Sequence, residues 1–116
     1  MRIATLTNRD GAVVCARCRV ADRPWTRLRG LLGRSSLAAD EGMLFRPGGS
    51  VHTSFMRFPI DAVFCDRDLV VLDVVQGLRP WRAAGCRGAK VVVELAEGAA
   101  AGVSAGDRLH LVANDS

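Results

Sequence analysis

Between Ile60 and Val75 the chain reads IDAVFCDRDLVVLDVV, two apolar runs of strand length separated by Asp66-Arg67-Asp68. Neither run is long enough for a stable helix, and both are rich in β-branched residues, so the segment reads as a β-hairpin with strands at 60–65 and 69–75. Alternation is poor because nearly every position is apolar, which is the pattern of strands covered on both faces. Any fold that takes in this hairpin must bury it from two sides. The chain has 116 residues, enough for one core of ordinary size and too few for a second, so 1–116 is expected to form a single domain.

Further short extended segments surround the hairpin, at 2–7, 12–20, 43–45, 51–57, 90–95 and 108–112. Asn8-Arg9-Asp10-Gly11 joins the first two with the Asp-Gly of a tight turn. A helix is expected near 24–32, with Asp22 as its cap, Pro24 in its first turn, Trp25, Leu28, Leu31 and Leu32 at helical spacing, and Gly33 beyond its end. A helical turn is expected near 97–103. The expected class is therefore α+β and β-rich, with six to eight short strands, a partly closed barrel being one arrangement open to them. Residues 76–89 contain Pro80-Trp81-Arg82 between glycines, and a connection of that length is more often functional than a spacer.

Composition excludes several classes of function. Hydrophobic residues make up 49% and charged residues 24%, a globular balance. The formal net charge is +4, but the arginines are scattered and no run of like charges forms a basic arm, which argues against nucleic acid as the partner. No apolar stretch has the length of a signal sequence or a membrane span, so a cytoplasmic chain is expected. Cys15 and Cys18 are spaced like a redox or zinc pair. In a regular strand, however, residues three apart lie about 10 Å apart on opposite faces, and no second close pair exists to complete a zinc ribbon. Four reduced thiols, no metal and no cofactor are expected.

RLRGLLGRSSLAADEGMLFRPGGSVHTSFMRFPIDAVFCDRDLVVLDVV, followed by LRPWR, VVVELAEG and GDRL, resembles the bacterial and archaeal family called domain of unknown function 192, from about residue 20 to the end. The Val-His-Thr and Met-Arg-Phe-Pro-Ile-Asp blocks place it beside one branch of that family. The resemblance implies a compact β-rich domain without an assigned activity. Members often carry an N-terminal signal or anchor, and some are encoded near pilus or secretion genes. Relatives in this branch often have Cys after the loop proline, where this chain has Gly48, so thiol chemistry at that loop does not carry over.

The candidate ligand-binding residues are His52, Thr53, Arg57, Asp61, Trp81 and Arg82. His52 comes just after the Pro47-Gly48-Gly49-Ser50 loop. If 51–57 is a strand, His52 and Arg57 point apart, while Asp61 shares a covered face with Val63 and Cys65. A buried carboxylate is costly unless it is satisfied. Backbone N–H groups near Pro59 or an arginine such as Arg57 could do so, and so could a pocket role in which arginine binds an anionic group and tryptophan forms a flat wall. Glu94, inside VVVEL, raises the same question, with an arginine as the obvious partner. These residues suggest a small non-enzymatic binding or accessory module for a small anionic ligand or a protein. The alternative is a hydrolase or metal-dependent enzyme using His52, Asp61 and a cysteine such as Cys65.

Overall fold

The computed structural model describes residues 2–21, 36–53 and 56–113, and among them the chain forms nine strands and no helix. These are β1 (Arg2–Thr7), β2 (Val13–Ala21), β3 (Glu41–Phe45), β4 (Ser50–His52), β5 (Ile60–Cys65), β6 (Val71–Leu78), β7 (Ala83–Gly85), β8 (Val91–Ala96) and β9 (His110–Ala113). Seven form one sheet in the order β6-β5-β8-β3-β2-β1-β9, and β4 and β7 pair as a separate ribbon. All pairings are antiparallel except β2 with β3. A parallel pair needs a long crossover, and residues 22–40 supply its length.

The expected α+β class is therefore corrected to all-β. The expected helix at 24–32 lies outside the described residues. Residues 97–103, expected as a helical turn, form a chain of separate turns in which the N–H groups of Ala99, Ala101 and Val103 each donate to the carbonyl three residues earlier. Glycines at 98 and 102 interrupt any continuous helix there, Gly98 at a φ of 93°. Nor is the sheet a closed barrel: its edge strands β6 and β9 do not pair along their length, although the residues at their starts meet at a bridge between Val70 and Arg108, with the Val71 N–H donating to the Asp107 carbonyl and the Leu109 N–H to the Leu69 carbonyl. Among the described residues no helix is long and apolar enough to cross a membrane.

Strands β5 and β8 are buried at every position, but β6, expected with β5 to be covered on both faces, is the edge strand of the sheet and only Val71 in it is buried, because no further strand lies beside it. On one face Val63, Cys65, Val91, Val93 and Leu95 join Leu6, Val20, Leu44 and Leu109 in the main core. On the other, Ala62, Phe64 and Val92 are covered by Val51 of β4 and Ala84 of β7. Burying each of the larger side chains contributes roughly 1.5–3 kcal/mol, so the ribbon is held down by the sheet it covers. Because Val51 and Ala84 pair across the ribbon and turn inward, the flanking pair His52 and Ala83 turns outward.

A bulge reverses one expectation about the cysteines. From Ala4 to Leu6 strand β1 advances two residues while its partner runs from Cys18 to Cys15, so β2 carries one extra residue. That slip brings Cys15 and Cys18 onto the same face, both buried in the main core, rather than onto opposite faces. The Cys18 thiol donates to the Cys15 sulfur, which lowers the Cys15 pKa and raises that of Cys18. Both remain free thiols.

Candidate functional site

The extended segment expected at 51–57 ends early: β4 stops at His52, and the Met56 N–H donates to the Thr53 carbonyl at 3.1 Å, residues 54 and 55 lying outside the described residues. The parity argument separating His52 from Arg57 therefore does not apply. Instead Thr53 is the fastening point of the tryptophan loop. Its N–H donates to the Arg82 carbonyl at 2.8 Å, and its carbonyl accepts the Trp81 N–H at 3.0 Å. Its hydroxyl donates to the Arg79 carbonyl at 2.6 Å, with the Arg82 carbonyl at 3.1 Å, and accepts the Arg82 N–H at 2.8 Å. Thr53 is fully buried, so each of these bonds is shielded from water.

The loop so fastened carries an unusual backbone. Trp81 has a φ of 62°, and its side chain is 59% exposed. A left-handed conformation costs a non-glycine residue roughly 1–2 kcal/mol. Leu69, the other non-glycine residue with positive φ, packs its side chain against the main core, which offsets that cost. Trp81 leaves most of its surface in water. Beside it Arg82 is exposed, its Nη1 donating to the Trp81 carbonyl at 3.3 Å. His52 is exposed on the neighbouring strand and Arg57 lies exposed just past Met56.

Asp61 sits apart from this rim, completely buried, and among the described residues its partners are backbone N–H groups. A bulge in β6 opposite Ile60 to Ala62 releases the N–H of Gly77, at φ 65°, which donates to Oδ1 at 2.9 Å. The N–H groups of Gly98 and Ala100 donate to Oδ2, each at 3.0 Å. The donors thus come from β6 and the 97–103 turns, not from the Pro59 turn or from Arg57. Asp61 ties those two segments to β5, next to the stretch that leads from Leu78 into the Trp81 loop.

The second buried carboxyl differs. Glu94 is 4% exposed, and among the described residues its carboxyl has no hydrogen bond and no arginine partner. Its cross-strand neighbours are Met43 and Ala62. Burial pushes its pKa up to about 7.

Burial also pushes the Cys65 thiol up to about 12, the reverse of what a nucleophile needs. With His52 out on the ribbon and Asp61 occupied by three amides, the groups of a Cys-His-Asp arrangement do not come together. Among the described residues no group of three or more His, Cys, Asp or Glu side chains is placed to hold a metal ion. In the turn after β5, Asp66 Oδ1 accepts the N–H groups of Asp68 and Val70, and Asp40 forms an ion pair with Arg17 at 2.9 Å.

Sequence reading overlooked a cavity of about 430 Å³ lined by Arg46, Pro47, Arg67, Lys90 and Val91. No local pattern joins positions 46, 67 and 90, and only the strand order reveals them as neighbours.

Fold and site together define a small all-β domain in which a two-stranded ribbon, laid over the sheet, presents a tryptophan and basic residues at its rim. The chain belongs to the domain of unknown function 192 family, described as "uncharacterized ACR", whose model matches residues 5–111. Among solved structures it is similar to a protein of unknown function from Novosphingobium aromaticivorans, at 25% identity and a TM-score of 0.78, covering 93% of this chain and 83% of that one. It is also similar to a Sinorhizobium meliloti protein provisionally described as a transcription regulator, at 27% identity and a TM-score of 0.80, covering 94% of this chain and 92% of that one. No curated protein matches the chain.

Proposed function

We propose that this protein is a small non-enzymatic binding module that engages a protein partner through His52, Arg57, Trp81 and Arg82, with Thr53 and Asp61 holding the rim in position from beneath. The observation that carries this reading is the backbone of Trp81: an exposed tryptophan is held at positive φ by a buried threonine. A strained backbone conformation at an exposed residue is characteristic of binding and catalytic positions. Tryptophan and arginine are also the side chains most enriched at binding hot spots, and two exposed arginines suit a partner surface bearing carboxylates.

Replacing Trp81 with glycine tests the reading. A tryptophan kept for binding predicts that Trp81→Gly leaves stability unchanged within about 0.5 kcal/mol or raises it, since glycine adopts this φ without strain. Partners co-purifying with the wild-type chain should then be lost by Trp81→Gly and Arg82→Ala and retained by Arg2→Ala, on the opposite side of the topology. A loss of more than about 1 kcal/mol in urea unfolding of Trp81→Gly would make Trp81 a packing residue and end the proposal.

A further inference from the structure

Arg46, Arg67 and Lys90 sit at one end of three adjacent strands. Arg46 follows the last residue of β3, Arg67 lies in the turn after β5, and Lys90 precedes β8, which pairs with both. The backbone pins each approach: the Lys90 N–H donates to the Cys65 carbonyl at 2.8 Å, the Gly48 N–H to the Lys90 carbonyl at 2.9 Å, and the Arg46 N–H to the Ala21 carbonyl at 3.2 Å. The three side chains line the cavity of about 430 Å³, whose remaining walls are Pro47 and Val91. That volume falls in the range of small-molecule sites.

The cations lack local compensation. Among the described residues the side chains of Arg46, Arg67 and Lys90 make no ion pair and no hydrogen bond. Of the two acids that flank Arg67 in the chain, Asp66 is turned to its own loop, where Oδ1 accepts two backbone N–H groups, and Asp68 is exposed in the turn without an ion pair to Arg67. Three like charges around one concavity repel one another and create a local positive potential that an anion relieves. Pro47 and Val91 offer apolar surface to whatever carries the charge.

We infer that this cavity is a binding site for a small organic anion of the phosphate-monoester type, its oxyanion held by Arg46, Arg67 and Lys90 and its organic part resting on Pro47 and Val91. A two-pronged guanidinium suits two oxyanion oxygens, and lysine adds a point charge. The site is separate from the tryptophan rim and does not depend on the binding reading proposed there.

Titration of ¹⁵N-labelled protein with phenyl phosphate, followed by amide shifts, tests this inference. The expected result is saturable binding with the largest shifts at Gly48, Lys90 and Val91, weakened roughly tenfold by Arg67→Ala and by Lys90→Ala. Benzyl alcohol, which lacks the charge, should produce no saturable shift, and Trp81→Gly should bind phenyl phosphate like the wild type. Both substituted cations are exposed, so the variants should keep the wild-type melting temperature. Shifts spread over arginines elsewhere, or unaffected by both substitutions, would overturn the inference. So would binding of duplex DNA, steeply salt-dependent and abolished by Lys90→Glu, without saturable binding of phenyl phosphate.

Discussion

Two buried carboxyl groups show how much the immediate partners decide. Asp61 and Glu94 both lie in apolar strand sequence, and the same burial argument applies to each. Asp61 meets three N–H donors that the bulge in β6 and the turns after β8 release from other duties. Asp61→Asn sets an amide donor against those donors, and urea unfolding should show a loss of about 2–4 kcal/mol. His52→Ala, on the exposed face of the ribbon, should stay within about 0.5 kcal/mol of wild type in the same measurement. Glu94 has only apolar side chains beside it in the ladder, and its pKa rises from 4.5 to about 7. A raised carboxyl pKa means that the folded state holds the proton more tightly than the unfolded state. The resulting stabilisation is complete below pH 4.5, declines as pH rises and is gone above about pH 7. The difference is about 3 kcal/mol in order of magnitude. Glu94→Gln should flatten the dependence of unfolding free energy on pH over that window. Asp40 and Asp107, whose pKa values are lowered chiefly by hydrogen bonds from Arg17 and Asn8, act in the opposite sense at lower pH, their contribution being lost on acidification.

At the level of elements, apolar runs and Asp-Gly punctuation located most strands to within a residue or two, because short runs rich in β-branched residues between turn residues favour extended structure whether one face is covered, as in β2, or both, as in β5. Bulges were not legible. The extra residue in β2 puts Cys15 beside Cys18, and the one in β6 frees Gly77 for Asp61, yet neither changes the apolar pattern that a sequence reading follows. The tight packing of β3 against its neighbours is equally silent. A Cβ at Gly42 would come within 2.9 Å of Cys15 Sγ and of the Glu94 carbonyl, and within 2.8 Å of Leu95 Cδ2. Gly42→Ala should therefore destabilise the domain by about 1–3 kcal/mol, read from its denaturation midpoint. Cysteine accessibility provides a second check. Cys15, Cys18 and Cys65 are buried and Cys86 is partly exposed, so a small thiol reagent should label Cys86 first in the native protein and all four after unfolding.

For the whole molecule the strand order governs both folding and the placement of sites. Strand β1 pairs with β9, β3 with β8 and β5 with β8, so much of the sheet joins segments distant in the chain. Folding dominated by such pairings should be slow for a chain of this size, on the millisecond-to-second scale, which stopped-flow refolding would measure. The same order gathers Arg46, Arg67 and Lys90 at one end of the sheet and brings Thr53 against Arg79, Trp81 and Arg82.

By itself the sequence determined that the chain is β-rich around one strand, β5, covered on both faces, with Asp61 in need of partners and a loop around Trp81 worth attention. Local composition is enough for those conclusions, since the cost of exposing an apolar run or burying a carboxylate is paid wherever the run or the acid ends up. Only the tertiary structure decided which amides satisfy Asp61, that Glu94 has no such partners among the described residues, that the two close cysteines share a face, and which scattered basic residues meet. Those outcomes depend on register and strand order, which are set by the joint packing of segments far apart in the chain.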